Sequence, residues 1–159
     1  MKKIILTLLL VSINLSIHSQ WYFDKYIDSD NTPYTIAYTD IDQDAFLKLE
    51  NINSKVFFYL EGEHFCEDNP LLDITFITKA TENGKRKIFL EETFSVNAFK
   101  SEDNKFILIE NDLERSILLA QFKNCTKIRI RIRSRFCNEE IYYFDMSNST
   151  KAYNFVKKN

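Results

Sequence analysis

In this 159-residue chain the residue types most able to do chemistry meet at His64-Phe65-Cys66. If residues 55–66 form one extended run, positions 64 and 66 point the same way, and an imidazole beside a thiol can activate a cysteine nucleophile. A small hydrolase or thiol enzyme is the activity that pair would serve. No local signature of a Cys-hydrolase family surrounds it, and an oxidising compartment consumes exposed thiols as disulfides. A disulfide or a buried thiol is therefore the preferred reading. The same stretch gathers Glu61, Glu63, Glu67 and Asp68 around His64 and Cys66, ligand types that could hold zinc or calcium. Outside the N-terminal leader His64 is the one histidine, there is no C-x-x-C, and the acids do not follow a calcium loop with its required glycine. An acidic solvated loop is expected instead, with no metal and no other cofactor. Because Gly62 and Gly84 are the only glycines, neither a glycine-rich phosphate loop nor a G-x-S-x-G elbow can be built. A glycosidase-like carboxylate pair needs a separation of about 5 to 9 Å, which sequence does not supply.

The second constellation is TKIRIRIRSR over residues 126–135, where Ile128, Ile130 and Ile132 alternate with Lys127, Arg129, Arg131, Arg133 and Arg135. In an antiparallel sheet with one face on the core, this pattern sends isoleucine inward and charge outward. Cross-strand acids can neutralise such a row: Glu139 and Glu140 lie just past the next turn, and Glu61, Glu63, Glu91 or Glu92 could occupy an adjacent strand. On that reading the row is a wet structural face, each exposed pair contributing about 0–1 kcal/mol. The functional alternative leaves arginines unpaired with Tyr142 or Tyr143 beside them. They would then form a patch for an acidic partner protein, an anionic glycan or lipid headgroups.

The elements that must position these residues are mostly strands, since period-two alternation and β-branched and aromatic residues run through most of the chain. Strands are expected at Trp21 to Ile27, Tyr34 to Thr39, Ala45 to Glu50, Lys55 to Glu61, Leu72 to Lys79 and Lys105 to Glu110. A long strand from Arg86 to Phe99 should bend or bulge at Glu92, which breaks its apolar parity. The Ile/Arg strand and Glu139 to Asp145 complete the set. Turns fall through Asp28, Ser29, Asp30, Asn31 and Pro33, at Asn51 to Ser54 and, most clearly, at Asn83-Gly84. Asn111 through Glu114 has capping-box spacing, which starts a helix at about Asp112 that ends near Lys123 and carries Leu113, Ile117, Leu118 and Ala120 at helical spacing. A second helix within Ser147 to Val156 turns Ala152, Phe155 and Val156 to the core. About nine strands with two short helices near the C-terminus define a mainly β fold, an antiparallel β-sandwich, with a barrel as the alternative.

The C-terminal third has an order of its own: an amphipathic helix ending LLAQFKNC, the strand TKIRIRI, the strand IYYFDM, then SNSTKAYNFV with Ala152 in a capped helix. This layout resembles that of small exported β-sandwich proteins of the invasion-associated locus B type, and of a type VI secretion accessory family with a similar ending. It covers about 45 residues and an early Trp, and Asn148 stands where those families place a glycine before the last helix. The resemblance implies an envelope or secreted protein and carries no catalytic residues over.

Residues 1–19 read as a secretory signal peptide, with Lys2 and Lys3 ahead of an apolar stretch that falls short of the roughly 20 residues a membrane span needs. That leaves 20–159 as a single β-sandwich domain with no transmembrane segment. The leader holds two lysines and no acid, so removal takes the charge from -2 to -4, with 19 basic residues against 23 acidic ones. Nucleic-acid binding is thereby disfavoured, since its main term is phosphate neutralisation. Export, periplasmic or to the medium, also sets the cysteine chemistry: of Cys66, Cys125 and Cys137 two should pair. Three pairings are open, and the placing of Cys66 and Cys137 near strand ends favours Cys66–Cys137. The function expected is a non-enzymatic binding or accessory module of the bacterial envelope, with an inhibitor or immunity protein for an exported enzyme as an intermediate reading.

Overall fold

The computed structural model describes residues 21–27, 33–39, 45–62, 65, 66, 68–82, 86–103, 105–109 and 111–158. The expected leader, the turns at Asp28 to Asn31 and at Asn83-Gly84, and Glu63, His64 and Glu67 lie outside those residues. Among the described residues ten strands form two antiparallel sheets, a β-sandwich with two short helices.

The first sheet is a meander of β1 (Trp21–Ile27), β2 (Pro33–Thr39), β3 (Ala45–Ile52) and β4 (Lys55–Gly62), followed by the short strands β8 (Phe106–Leu108) and β7 (Phe99–Lys100). Its tightest turn is Asn53-Ser54, with φ of 51° and 65°, between the paired residues Ile52 and Lys55. Two successive left-handed residues give the turn the twist that a two-residue hairpin favours, and asparagine tolerates that region.

The second sheet has the order β10 (Glu140–Asp145), β9 (Lys127–Arg133), β5 (Leu71–Glu82) and β6 (Arg86–Asn97). Helix α1 (Asp112–Phe122) precedes β9, and α2 (Ser149–Lys158) follows β10. Leu47, Leu49 and Leu60 from the first sheet and Leu72, Ile74, Phe76, Ile128 and Ile130 from the second are fully enclosed. Trp21 and Phe58 both meet the ring of Phe122 edge to face, at 5.6 and 5.7 Å, tying α1 into that core.

Helix ends are satisfied by the sheets and by one another. Asn111 accepts from the N–H groups of Leu113 and Glu114 at the start of α1. Ser149 and Thr150 hydroxyls donate to the Phe122 and Lys123 carbonyls at its end. Thr35 and Asn51 donate to the Val156 carbonyl near the end of α2, at 3.1 and 2.9 Å. These are groups that a helix leaves without intrahelical partners, so buried termini cost little.

Two expectations need correction. Pairing of β5 with β6 runs unbroken through Phe76 and Glu92, so there is no bulge at Glu92. The break comes at Ala98, after which Phe99 and Lys100 cross to the other sheet. Glu92 needs no bulge to reach water, because β6 is an outer strand and Glu92 is exposed there. In α1 the buried residues are Arg115, Leu118, Leu119 and Phe122, while Leu113 and Ile117 are exposed. Arg115 lies inward because its guanidinium sits 4.4 Å from the Phe57 ring centroid, donates to the Ile109 carbonyl and pairs with Asp112.

Candidate functional site

Alternation along β9 puts Ile128, Ile130 and Ile132 in the core and turns Lys127, Arg129, Arg131 and Arg133 to the outer face of the four-stranded sheet. Register then decides what each meets: Arg131 lies beside Asp73 of β5, Arg129 beside Thr75, and Arg133 beside Leu71. Across β6, Ser95 and Thr93 continue the same two rows.

Three of the arginines are held by partners within this face. Arg133 donates through Nε to Asp73 Oδ2 at 2.6 Å, and its Nη2 lies 2.5 Å from the same oxygen. Arg131 donates through Nε and Nη2 to Glu139 Oε2 at 3.1 and 2.6 Å. Arg129 donates to the Thr75 hydroxyl at 3.2 Å and lies 3.7 Å from a Glu91 oxygen. Asp73 and Thr75 point outward yet are buried, at 6% and 1% exposure. They sit beside the aliphatic stems of the arginines, which cover neighbouring surface while their heads stay wet. Burial pushes the Asp73 carboxyl up, but the Ser95 hydroxyl, the Arg133 guanidinium and the nearby Arg131 charge together hold it below the usual carboxylate range.

The row is therefore shorter and less positive than its sequence. Strand β9 ends at Arg133, so Arg135 belongs to the loop leading to β10. Tyr143 pairs with Arg129 on the outer face and is exposed; Tyr142 pairs with Ile130, packs against the core and donates to Glu140 at 2.7 Å. Of the two tyrosines only Tyr143 joins the arginines, because adjacent strand residues face opposite ways. Ile141, opposite Arg131, is exposed as well.

Beyond Arg133 the loop is pinned twice. The Ser134 hydroxyl accepts from the N–H groups of Phe136 and Cys137 at 3.1 and 2.8 Å. Cys137 forms a disulfide with Cys66, 71 residues away, with Cα atoms 6.4 Å apart. Between these anchors Phe136 is 90% exposed. A cleft of about 580 Å³ opens beside it, lined by Asn69, Leu71, Asn97, Arg133, Ser134, Arg135 and Glu139. In this disulfide the Cys66 sulfur is neither a thiolate nucleophile nor a metal ligand. Asp68 pairs with Lys100 at 2.9 Å and Glu61 with Lys48 at 3.6 Å. Cys125 is the free cysteine; burial pushes its thiol up to about 12.

A second concavity went unread in the sequence. Phe23 of β1 and Phe155 of α2 meet edge to face at 5.1 Å, and with Asn148, Thr150, Lys151, Asn154 and Lys158 they line a shallow groove of about 850 Å³. Lys151 lies 5.4 Å over the Phe23 ring and Lys25 lies 5.8 Å over Phe155. The signal available was α2 itself, whose ten residues include three lysines and no acid. For Phe136 the signal was an aromatic residue in an otherwise polar SRFCNEE stretch.

Together the fold and this face define a disulfide-stapled β-sandwich with a rigid Arg- and aromatic-bearing edge. Among the described residues no helix is long and apolar enough to cross a membrane. Comparison with protein-family models, with curated proteins and with solved structures finds no match.

Proposed function

We propose that the chain is an exported, non-enzymatic binding protein of the bacterial envelope that takes an acidic partner protein on the Arg133 end of its four-stranded sheet. The observation that carries this reading is Phe136, almost fully exposed on a loop fixed by the Ser134 turn and the Cys66–Cys137 disulfide. Fold stability gains nothing from an aromatic ring in water, whereas a rigid ring beside arginines suits an interface anchor, because little entropy is lost when it docks. Arg133 ends β9 three residues before it, and Arg131, with Ile141 opposite, follows along the same strand. The disulfide also fits an oxidising compartment.

The pairing of the arginines narrows the partner. Arg129, Arg131 and Arg133 pair with Glu91, Glu139 and Asp73 within the chain, which leaves this face much less positive than its sequence. That suits a protein surface with a few acids better than a polyanion. Affinity capture from the native host at low and high salt tests it. The wild-type protein should retain a partner that Phe136→Ala loses, with a moderate salt dependence. Equal capture by wild type and Phe136→Ala would sink the proposal.

A second reading has an observation of its own. The Phe23/Phe155 groove, rimmed by Lys151 and Lys158, offers an aromatic floor and cations to an anionic glycan or lipid headgroup. Lys151→Glu with Lys158→Glu would abolish binding there and leave the Phe136-dependent partner in place.

A further inference from the structure

Strand β6 is an outer strand: Arg86–Asn97 pairs with β5 on one side, and among the described residues no strand lies on the other. An edge of that kind presents free N–H and C=O groups along its length, and proteins normally blunt it. Part of it also leaves the sandwich. Pairing of β9 with β5 covers only Leu71–Ile77, so the β5–β6 hairpin runs on from Thr78 and Leu90 as a two-stranded ribbon. Phe89 and Leu90 point to its opposite faces and are 62% and 54% exposed. A two-stranded ribbon bare on both faces is marginal by itself.

Residues 86–92 read RKIFLEE, two cations, three apolar residues and two acids. We infer that two copies of this chain pair through β6, antiparallel and symmetric about Phe89. That register sets Arg86 opposite Glu92, Lys87 opposite Glu91, Ile88 opposite Leu90, and Phe89 opposite itself. Two identical antiparallel edges can hydrogen-bond only with positions of equal parity facing, so the two-fold axis falls on a residue. Moving it to Ile88 sets Lys87 against Phe89 and Arg86 against Leu90. Moving it to Leu90 sets Glu91 against Phe89 and Glu92 against Ile88. Only the Phe89 register matches charge with charge and apolar with apolar. Acids on an edge usually keep other strands away; Glu91, which lies 3.7 Å from Arg129 yet is half exposed, and Glu92 do so for edges without cations at the mirror positions. Against a second copy they specify the register instead.

The paired product is a continuous eight-stranded sheet. Sedimentation of the purified protein over a concentration series reaching about 200 μM reads the association directly: the mass should rise from one chain toward two. Glu91→Lys with Glu92→Lys should weaken dimerisation by more than about tenfold, because like charges then face each other at both ends. Adding Arg86→Glu and Lys87→Glu inverts the pattern, stays self-complementary and should restore it, while a mixture of this variant with wild type should form no heterodimer. Phe89→Cys tests the register, since only a residue on the axis meets its own copy within disulfide reach. It should cross-link rapidly between chains, and Leu90→Cys should not. A monomer at the highest concentration, a dimer indifferent to the charge reversal, or equal cross-linking at 89 and 90 overturns the inference.

Discussion

Replacing Arg133 with alanine should destabilise the fold even though half of the arginine side chain is in water. The cost arises at Asp73, whose side chain is only 8% exposed and whose two oxygens are shared between Ser95 and Arg133. Without the guanidinium, Oδ2 keeps its charge in a buried position and loses two short donors. A charge-assisted hydrogen bond contributes about 1.5–3 kcal/mol, and leaving a buried acceptor unsatisfied costs a similar amount. Exposure of Arg133 and the remaining attraction of Arg131 place the expected loss at about 2 kcal/mol. For a chain of this size that corresponds to a fall in Tm of about 6 °C. The pH dependence supplies a second check. Asp73 titrates below its ordinary range in the folded protein, so its contribution is complete above the unfolded carboxylate value of about 3.9 and disappears as pH falls through the folded value. The gap between wild type and Arg133→Ala should therefore be full at neutral pH and close in acid. Urea denaturation across that range measures both effects. Arg131→Ala is the control, since Arg131 and Glu139 are both about half exposed, and its loss should be much smaller. A variant within about 0.5 kcal/mol of wild type, or one matched by Arg131→Ala, would refute the assignment.

Cys66→Ser with Cys137→Ser opens a loop with a sequence separation of 71 and should cost up to about 4 kcal/mol in chemical denaturation. It should also weaken whatever binding depends on Phe136 by freeing one anchor of its loop. Thiol titration of the folded protein at neutral pH should find Cys125 unreactive, since burial raises its thiol to about 12, and a denaturant should release one thiol per chain. Asn148 has a φ of 69°, so Asn148→Gly should fold as well as wild type while Asn148→Ala loses about 1 kcal/mol in thermal unfolding.

Much of the sandwich was legible because alternation is a local signal. Ile128, Ile130 and Ile132 announce a strand with one face in the core, and β3 follows the same rule from Ala45 to Asn51. The ends of elements and the identity of partners were not legible, because register between distant strands sets them. Glu91 and Glu139 were among the acids that could meet the arginine row, yet Asp73 was not, and it lies 60 residues away from Arg133 on the neighbouring strand. Glu140 instead accepts from Tyr142, on the other side of the sheet from the arginines. In α1, the apolar pattern pointed to Leu113 and Ile117, but Arg115 took the inward place because Phe57 stands over it from another sheet strand. A helical pattern cannot reveal an aromatic ring supplied by β4.

Neutralisation of the arginine row also changes where activity is to be sought. The middle of the four-stranded sheet spends much of its charge on itself, through Asp73, Glu91 and Glu139. Its two most exposed aromatic rings lie toward its two ends. Phe136 stands beyond Arg133, at the end where Leu71 pairs with Asn97, and Phe89 stands past Ile77 and Glu91 at the other. Pairing about Phe89 would run the two copies in opposite directions, each extending some eight residues from the axis to Asn97. At about 3.4 Å per residue the two Phe136 loops would then stand on the order of 50 Å apart, facing away from the dimer axis. Such a dimer cannot close both loops on one small partner, but it can bridge two copies fixed on a surface, where the second contact forms at high effective concentration. A monomeric variant should then keep its affinity for the partner in solution and lose residence time only where the partner is immobilised at comparable spacing.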